Sequence, residues 1–173
     1  MEFVVESVYD QKAVTAMARA LRRTVRKKHS RRSHIFGWIV VALALLLSFL
    51  PGEDGFSVTF KTVLTWVVVL VMMLTLLFDD SINGYFARKR ALPGTKRTKT
   101  SFNPDGYRSV NAAGETIWSY GNVQTVAETG DYLVFVLNQN HAQVYDKRTI
   151  SGGTEVEFRE LLMEVTGKSV QYI

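Results

Sequence analysis

Two stretches of the chain lose all alternation between apolar and polar positions. Ile35–Leu50 reads IFGWIVVALALLLSFL and Val63–Phe78 reads VLTWVVVLVMMLTLLF, and neither holds a charged residue. A bilayer core takes ~20 mostly apolar helical residues, with ~17 at the lower end. Each run is 16 residues long, and its flanks lengthen it: Ser33 and His34 before the first, Val58–Thr62 before the second. Lys61, in the second flank, has a stem long enough to lift its ammonium group to the headgroups. Both runs are apolar all round, whereas a soluble helix keeps one polar face. The pattern therefore predicts two membrane-spanning helices within 34–79. The connector Pro51–Ser57 (PGEDGFS) is short and rich in turn formers, which makes the two helices an antiparallel hairpin. The first is expected to be an uncleaved anchor. Its leader is some thirty residues long, Ala42-Leu43-Ala44 lies in mid-run, and a second span comes after it.

The remaining periodicity is of two kinds. Phe3–Tyr9 is β-branched and apolar enough for a short strand, and Asp10 is placed to cap a helix beginning at Gln11. Val14, Met17, Leu21 and Val25 recur at spacings of three and four, marking one face of a basic amphipathic helix that runs into the first span. After the second span, residues 79–90 continue as helix until Pro93-Gly94 stops it. From Lys96 the period becomes that of strands: Thr98–Phe102, Tyr107–Asn111, Glu115–Tyr120, a strand around Val123 and Val126, Tyr132–Leu137 and His141–Tyr145. The turns between them are Asn103-Pro104-Asp105-Gly106, Ala112-Ala113-Gly114, Thr129-Gly130-Asp131 and Asn138-Gln139-Asn140. YLVFVL (Tyr132–Leu137) is apolar throughout, as a strand covered on both faces should be. Thr154 with Glu157 forms a capping box that opens a final helix carrying Val156, Phe158, Leu161, Leu162 and Val165. Short antiparallel strands closed by one C-terminal helix predict a small α+β barrel or roll. The expected division is thus 1–33 (strand and basic helix), 34–79 (hairpin), 80–97 (juxtamembrane helix and linker) and 98–173 (the α+β domain). The Phe3–Tyr9 strand is expected to join an edge of the C-terminal sheet.

Charge orients this layout. Residues 1–100 hold 16 of the 21 bases and 7 of the 16 acids, a net +9, while residues 101–173 hold 5 and 9, a net −4. Arg19, Arg22, Arg23, Arg26, Lys27, Lys28, Arg31 and Arg32 precede the first span, and Arg88, Lys89, Arg90, Lys96, Arg97 and Lys99 come after the second. The connector carries Glu53 and Asp54 and no base. Bases are held in the cytoplasm during insertion, so the hairpin tip is expected outside and both termini in the cytoplasm. The cluster Arg22, Arg23, Arg26, Lys27, Lys28, Arg31 and Arg32 either sets topology or binds anionic lipid at ~1 kcal/mol per base. Asp79 and Asp80, at the inner edge of the second span, are expected to pair with Arg31 or Arg32. No stacking aromatics are interleaved with the bases, which argues against nucleic acid.

Candidate chemistry is sparse. There is no cysteine, which removes disulfides, thiolate catalysis and Cys-ligated metal. No phosphate-cradling glycine motif occurs. His29, His34 and His141 do not converge in sequence, and a zinc site needs three or four donors. Thr154 is explained by capping, and Ser151 has no evident histidine partner. Glu155, Glu157, Glu160 and Glu164 read as a solvated helix face, the first two also favoured at a helix N-terminus. No enzyme and no cofactor are expected.

The stretch Tyr120–Tyr132 (YGNVQTVAETGDY), then Asn140–Lys147 (NHAQVYDK) and Gly153–Leu161 (GTEVEFREL), resembles the YcxB-like family. So does the order of strand, basic helix, two spans and basic linker. The resemblance implies a bacterial membrane protein whose C-terminal domain is a pleckstrin-homology-like roll of strands capped by a helix; it implies no activity. The fold class expected is therefore a membrane α-helical hairpin plus a cytoplasmic α+β domain. Its partners would be the lipid bilayer and a protein segment, since a net −4 in the distal domain disfavours anionic headgroups. The alternative is an immunity protein or an accessory subunit of a transporter or toxin system, acting through the hairpin. Exchanging both spans for unrelated apolar sequence separates the two readings.

Overall fold

The computed structural model describes residues 2–50 and 58–173. The connector 51–57, read above as a turn, lies outside the described residues. The chain divides into two units: one from the residues up to Lys27 together with Asp80–Ile173, the other from Lys28–Asp79.

The first unit holds two four-stranded sheets. β1 (Phe3–Val8), β2 (Arg97–Asn103), β3 (Gly106–Asn111) and β4 (Gly114–Trp118) lie side by side in that order, all antiparallel. β1 does join the C-terminal strands: Phe3 stands opposite Phe102 and Val8 opposite Arg97. The second sheet has the order β7 (Ala142–Asp146), β6 (Tyr132–Val136), β5 (Thr125–Thr129), β8 (Val170–Tyr172), with β8 parallel to β5. The strands therefore form two open sheets, and the expected single closed roll is not what the chain builds. The redirection happens where the third strand was expected to reach Tyr120. β4 stops at Trp118, and Tyr120–Asn122 forms a 3₁₀ turn whose Tyr120 hydroxyl donates to the Asn103 carbonyl at 2.8 Å.

Between the sheets lies an aromatic core. Phe102 is fully buried and meets Tyr107, Phe135, Tyr145 and Phe158 at ring separations of 4.9–6.1 Å. Phe158 and Leu162 come from α5 (Glu155–Thr166), which Thr154 and Glu157 open with the expected capping box. Glu157 is held below the usual carboxylate range by the Thr154 backbone N–H and hydroxyl. On the other face of β6, Val134 and Val136 pack with Ala127, Ala142 and Val144 against α1 (Gln11–Arg23). That double cover explains the unbroken apolar run of β6. α1 presents Ala13, Ala16 and Ala20 to the sheet, so its buried face is centred on small residues, with Met17 and Leu21 at the margin and Val25 packing from the turn beyond its end.

The basic helix is not continuous. α1 ends at Arg23, and α2 (Lys27–Ser48) begins after a turn. The Thr24 hydroxyl donates back to the Ala20 carbonyl at 2.6 Å, and its backbone (φ −109°, ψ −95°) leaves the helix. α4 (Asp79–Lys89) comes after α3 (Phe60–Leu77) across one non-helical residue, Phe78. Gly84 of α4 faces α1, where an added Cβ would come within 2.9–3.1 Å of the Thr15 hydroxyl and backbone. Two helix backbones that close leave no room for a side chain. Gly84→Leu is expected to cost about 2 kcal/mol through overpacking, read as a lower unfolding midpoint of the purified full chain; an unchanged midpoint would show that the crossing is not closely packed.

The second unit is a pair of antiparallel apolar helices. Gly37 in the middle of α2 lies beside Leu76 near the end of α3, and the Trp66 indole N–H donates to Ser48 Oγ at 3.0 Å. Val41 and Val69 are the buried residues of the two helices. Both helices are long and apolar enough to cross a membrane, and only 6% of each apolar window is buried.

Candidate functional site

The basic cluster at the α1–α2 junction is not uniform. Arg22 is committed to structure: its Nε and Nη2 donate to the two carboxylate oxygens of Asp80, each at 2.6 Å. Arg19 supports the same carboxylate at 3.5 Å and donates to Thr129 Oγ1 at 3.3 Å. Arg26 donates to the Gln139 carbonyl at 2.6 Å and to Asn140 Oδ1 at 2.7 Å, tying the end of α1 to the β6–β7 turn. Arg23, Lys27, Lys28, Arg31 and Arg32 are exposed and have no ion-pair partner among the described residues. The seven-residue cluster read from the sequence thus separates into two structural arginines and five solvent-facing bases.

The acids pair differently from expectation. Asp80 binds Arg22 and Arg19, 9 to 13 residues earlier in the chain than Arg31 and Arg32. Asp79 stands 3.2 Å from His34 Nε2, within the apolar helix pair. The reason is the break at Thr24: it lets α1 lie on the second sheet, where its own arginines reach the start of α4.

A second constellation was missed in the sequence. Glu128, on β5, is buried. Its Oε1 accepts from Lys147 Nζ at 2.7 Å and from Arg159 Nη2 at 3.2 Å, and Oε2 lies 3.0 Å from the same guanidinium without hydrogen-bond alignment. Glu155 closes the ring, accepting from Lys147 at 3.0 Å and from Arg159 at 2.9 Å. Burial disfavours the charged form of Lys147, but the two carboxylates outweigh it and hold its pKa above the usual lysine value. Glu155 is therefore not part of a purely solvated face. The one available signal was the spacing of Glu155 and Arg159, four apart on a helix.

A cavity of about 380 Å³ opens between α1, the start of α4 and the β5–β6 turn, lined among others by Lys12, Thr15, Arg19, Ser81, Thr129 and Asp131. Arg19 is already engaged by Asp80 and Thr129, so Lys12 is the one uncommitted base among these six. His141 lies beside the Trp118 ring at 5.8 Å. Among the described residues no group of three or more His, Asp or Glu side chains is placed to hold a metal ion.

Comparison with known proteins finds a match over part of the folded unit. Residues 102–162, from the end of β2 into α5, match the family model described as YcxB-like protein. The matched stretch, similar to that family, contains Glu128, Lys147, Glu155 and Arg159. No curated protein and no solved structure matches the chain.

Proposed function

We propose that the chain is a membrane-tethered interaction module, with α2 and α3 spanning the bilayer and the folded unit on the cytoplasmic side. The observation that carries the reading is apolar surface without a polar face on both helices: Phe36, Leu46, Leu70 and Leu77 are among the large side chains left exposed. In water such surface would drive aggregation. The solvent-facing bases Arg23 at the end of α1, Lys27, Lys28, Arg31 and Arg32 at the start of α2, and Arg88 and Lys89 in α4 support the inward orientation. Two sheets sharing one core with a C-terminal helix support the pleckstrin-homology-like reading of the folded unit. A protein partner is supported by the free edge strand β4, where Ile117 is 73% exposed, with Val110 on the neighbouring strand also exposed.

Because the chain has no cysteine, topology can be read with single substitutions in whole cells. Asp54→Cys is expected to react with an impermeant maleimide in intact cells, and Gln139→Cys only after permeabilisation. The reverse pattern would put the folded unit outside and end the cytoplasmic assignment.

A further inference from the structure

Helix α4 spends its buried residue, Gly84, on the crossing with α1 and leaves large side chains outside. Tyr85 is 56% and Phe86 50% exposed, their rings meeting edge-on at a 5.7 Å centroid separation. Helical spacing sets the half-buried Ile82 beneath Phe86 and the exposed Tyr85 beneath Lys89, away from the Gly84 side. Two aromatics in water on a helix of 11 residues are an unrewarded exposure unless something covers them. Chemistry of the opposite kind comes directly after them. Arg88, Lys89, Arg90, Lys96 and Arg97 have no ion-pair partner among the described residues, and residues 81–104 contain no acid. The two acids that open α4 are engaged, Asp80 by Arg22 and Asp79 by His34, so they do not oppose an anionic surface.

We propose that α4 is an interfacial element: its Ile82, Tyr85 and Phe86 side chains sit in the headgroup layer of an anionic leaflet, and Arg88, Lys89 and Arg90 bind the lipid phosphates. The inference rests on reading α3 as a membrane span. One residue, Phe78, separates that helix from α4, so an 11-residue helix at 1.5 Å per residue stays within ~20 Å of the bilayer surface. Aromatics with basic neighbours are the composition that settles at this depth. The mode of attachment also gives the site a role. A folded unit gripped at α4 would be held against the inner leaflet by lipid composition, in addition to its covalent tether.

The test uses full-length protein in nanodiscs with single nitroxide labels. Ile82→Cys and Phe86→Cys are compared with Leu70→Cys on α3 and Glu115→Cys on β4. Labels at 82 and 86 are expected to show an oxygen-to-nickel accessibility ratio several-fold above that at 115, in discs containing phosphatidylglycerol. Changing Arg88, Lys89 and Arg90 together to Gln should move the label at 86 toward the value at 115. Labels at 82 and 86 as water-exposed as that at 115, with 70 deep in lipid, would overturn this inference alone. A water-exposed label at 70 would overturn the membrane reading beneath it. Shielding of 86 from both oxygen and nickel would mean a protein covers the face, and would also overturn the proposal. So would a depth at 86 that ignores both phosphatidylglycerol and the three glutamines.

Discussion

Deleting residues 2–9 lowers the unfolding midpoint of the folded unit by more than about 15 °C, the largest effect expected anywhere in the chain. β1 is paired along its whole length with β2, from Phe3 opposite Phe102 to Val8 opposite Arg97, and it bridges Ser151 through Val4. Its inward residues Phe3 and Val5 are buried, and the Phe3 ring lies 5.2 Å from that of Phe158. The same ring occupies the space over Gly153, where a Cβ would stand 2.6 Å from it. Phe3→Ala alone should cost about 3–4 kcal/mol, the usual loss for a buried phenylalanine. The deletion adds the loss of the ladder and of the tether that brings α1 onto the second sheet. Both variants are read by thermal or denaturant unfolding of the detergent-solubilised full chain. An unchanged midpoint on deletion would mean that the β1–β2 pairing does not form. The same geometry shows why a fragment starting at residue 98 is a poor stand-in for the domain. It would leave Ala127, Val134, Val136, Ala142 and Val144 without the α1 alanines that cover them.

What could be read from the sequence was what is local in the chain. The capping box of Thr154 and Glu157 spans three residues and needs no tertiary contact, and the structure forms it. Asp10 caps α1 through Ala13 N–H at 2.8 Å for the same reason. YLVFVL announced a strand covered on both faces because double burial leaves no polar alternation, although nothing in the run says that α1 is one of the covers. The failures are contacts set by register over long separations. Asp80 finds Arg22 and not Arg31 because a single threonine turns the chain between them. β4 ends at Trp118, opposite Tyr107 near the start of β3, and Tyr120 beyond it bonds to Asn103, a long-range contact invisible to a propensity argument. β8, three residues long, exists only because β5 offers a parallel edge. The candidate site divides in the same way. The bases ahead of the first apolar helix are legible as a composition run, but their sorting into structural and solvent-facing members depends on where the β6–β7 turn and α4 come to lie.

The buried ring of charge on β5 gives the second large effect. Glu128→Ala leaves Lys147 and Arg159, whose side chains are mostly buried, facing each other without the carboxylate that both share. Removing one partner of a buried ion pair costs about 3–5 kcal/mol, and because Glu155 still accepts from both cations the loss should fall at the lower end of that range. The midpoint should fall by about 10 °C or more. Glu155→Ala breaks contacts to the same two cations, yet its carboxylate is far more exposed and water can replace it, so the expected cost is under about 1 kcal/mol. Order of effect is therefore the first check: comparable losses at 128 and 155 would mean that burial does not govern the ring. The second check is compensation. Glu128→Leu combined with Lys147→Met and Arg159→Met removes all three charges together, and should recover most of the loss, since apolar replacements of a buried network are often neutral or stabilising. A triple variant no better than Glu128→Ala would assign the ring a role in specifying the fold. The pH dependence has a definite sign. Lys147 has a raised pKa in the folded chain, so its contribution is complete below the ordinary lysine value near ~10.4 and is lost only as pH rises beyond it. Buried Tyr107, Tyr120 and Tyr145, whose phenols burial pushes upward, act in the same direction. Between pH ~6 and ~8 the Glu128→Ala loss should accordingly be flat, and it should shrink as pH rises toward the ordinary lysine value, because the lysine it leaves with fewer carboxylates gives up its proton more readily than in the parent chain.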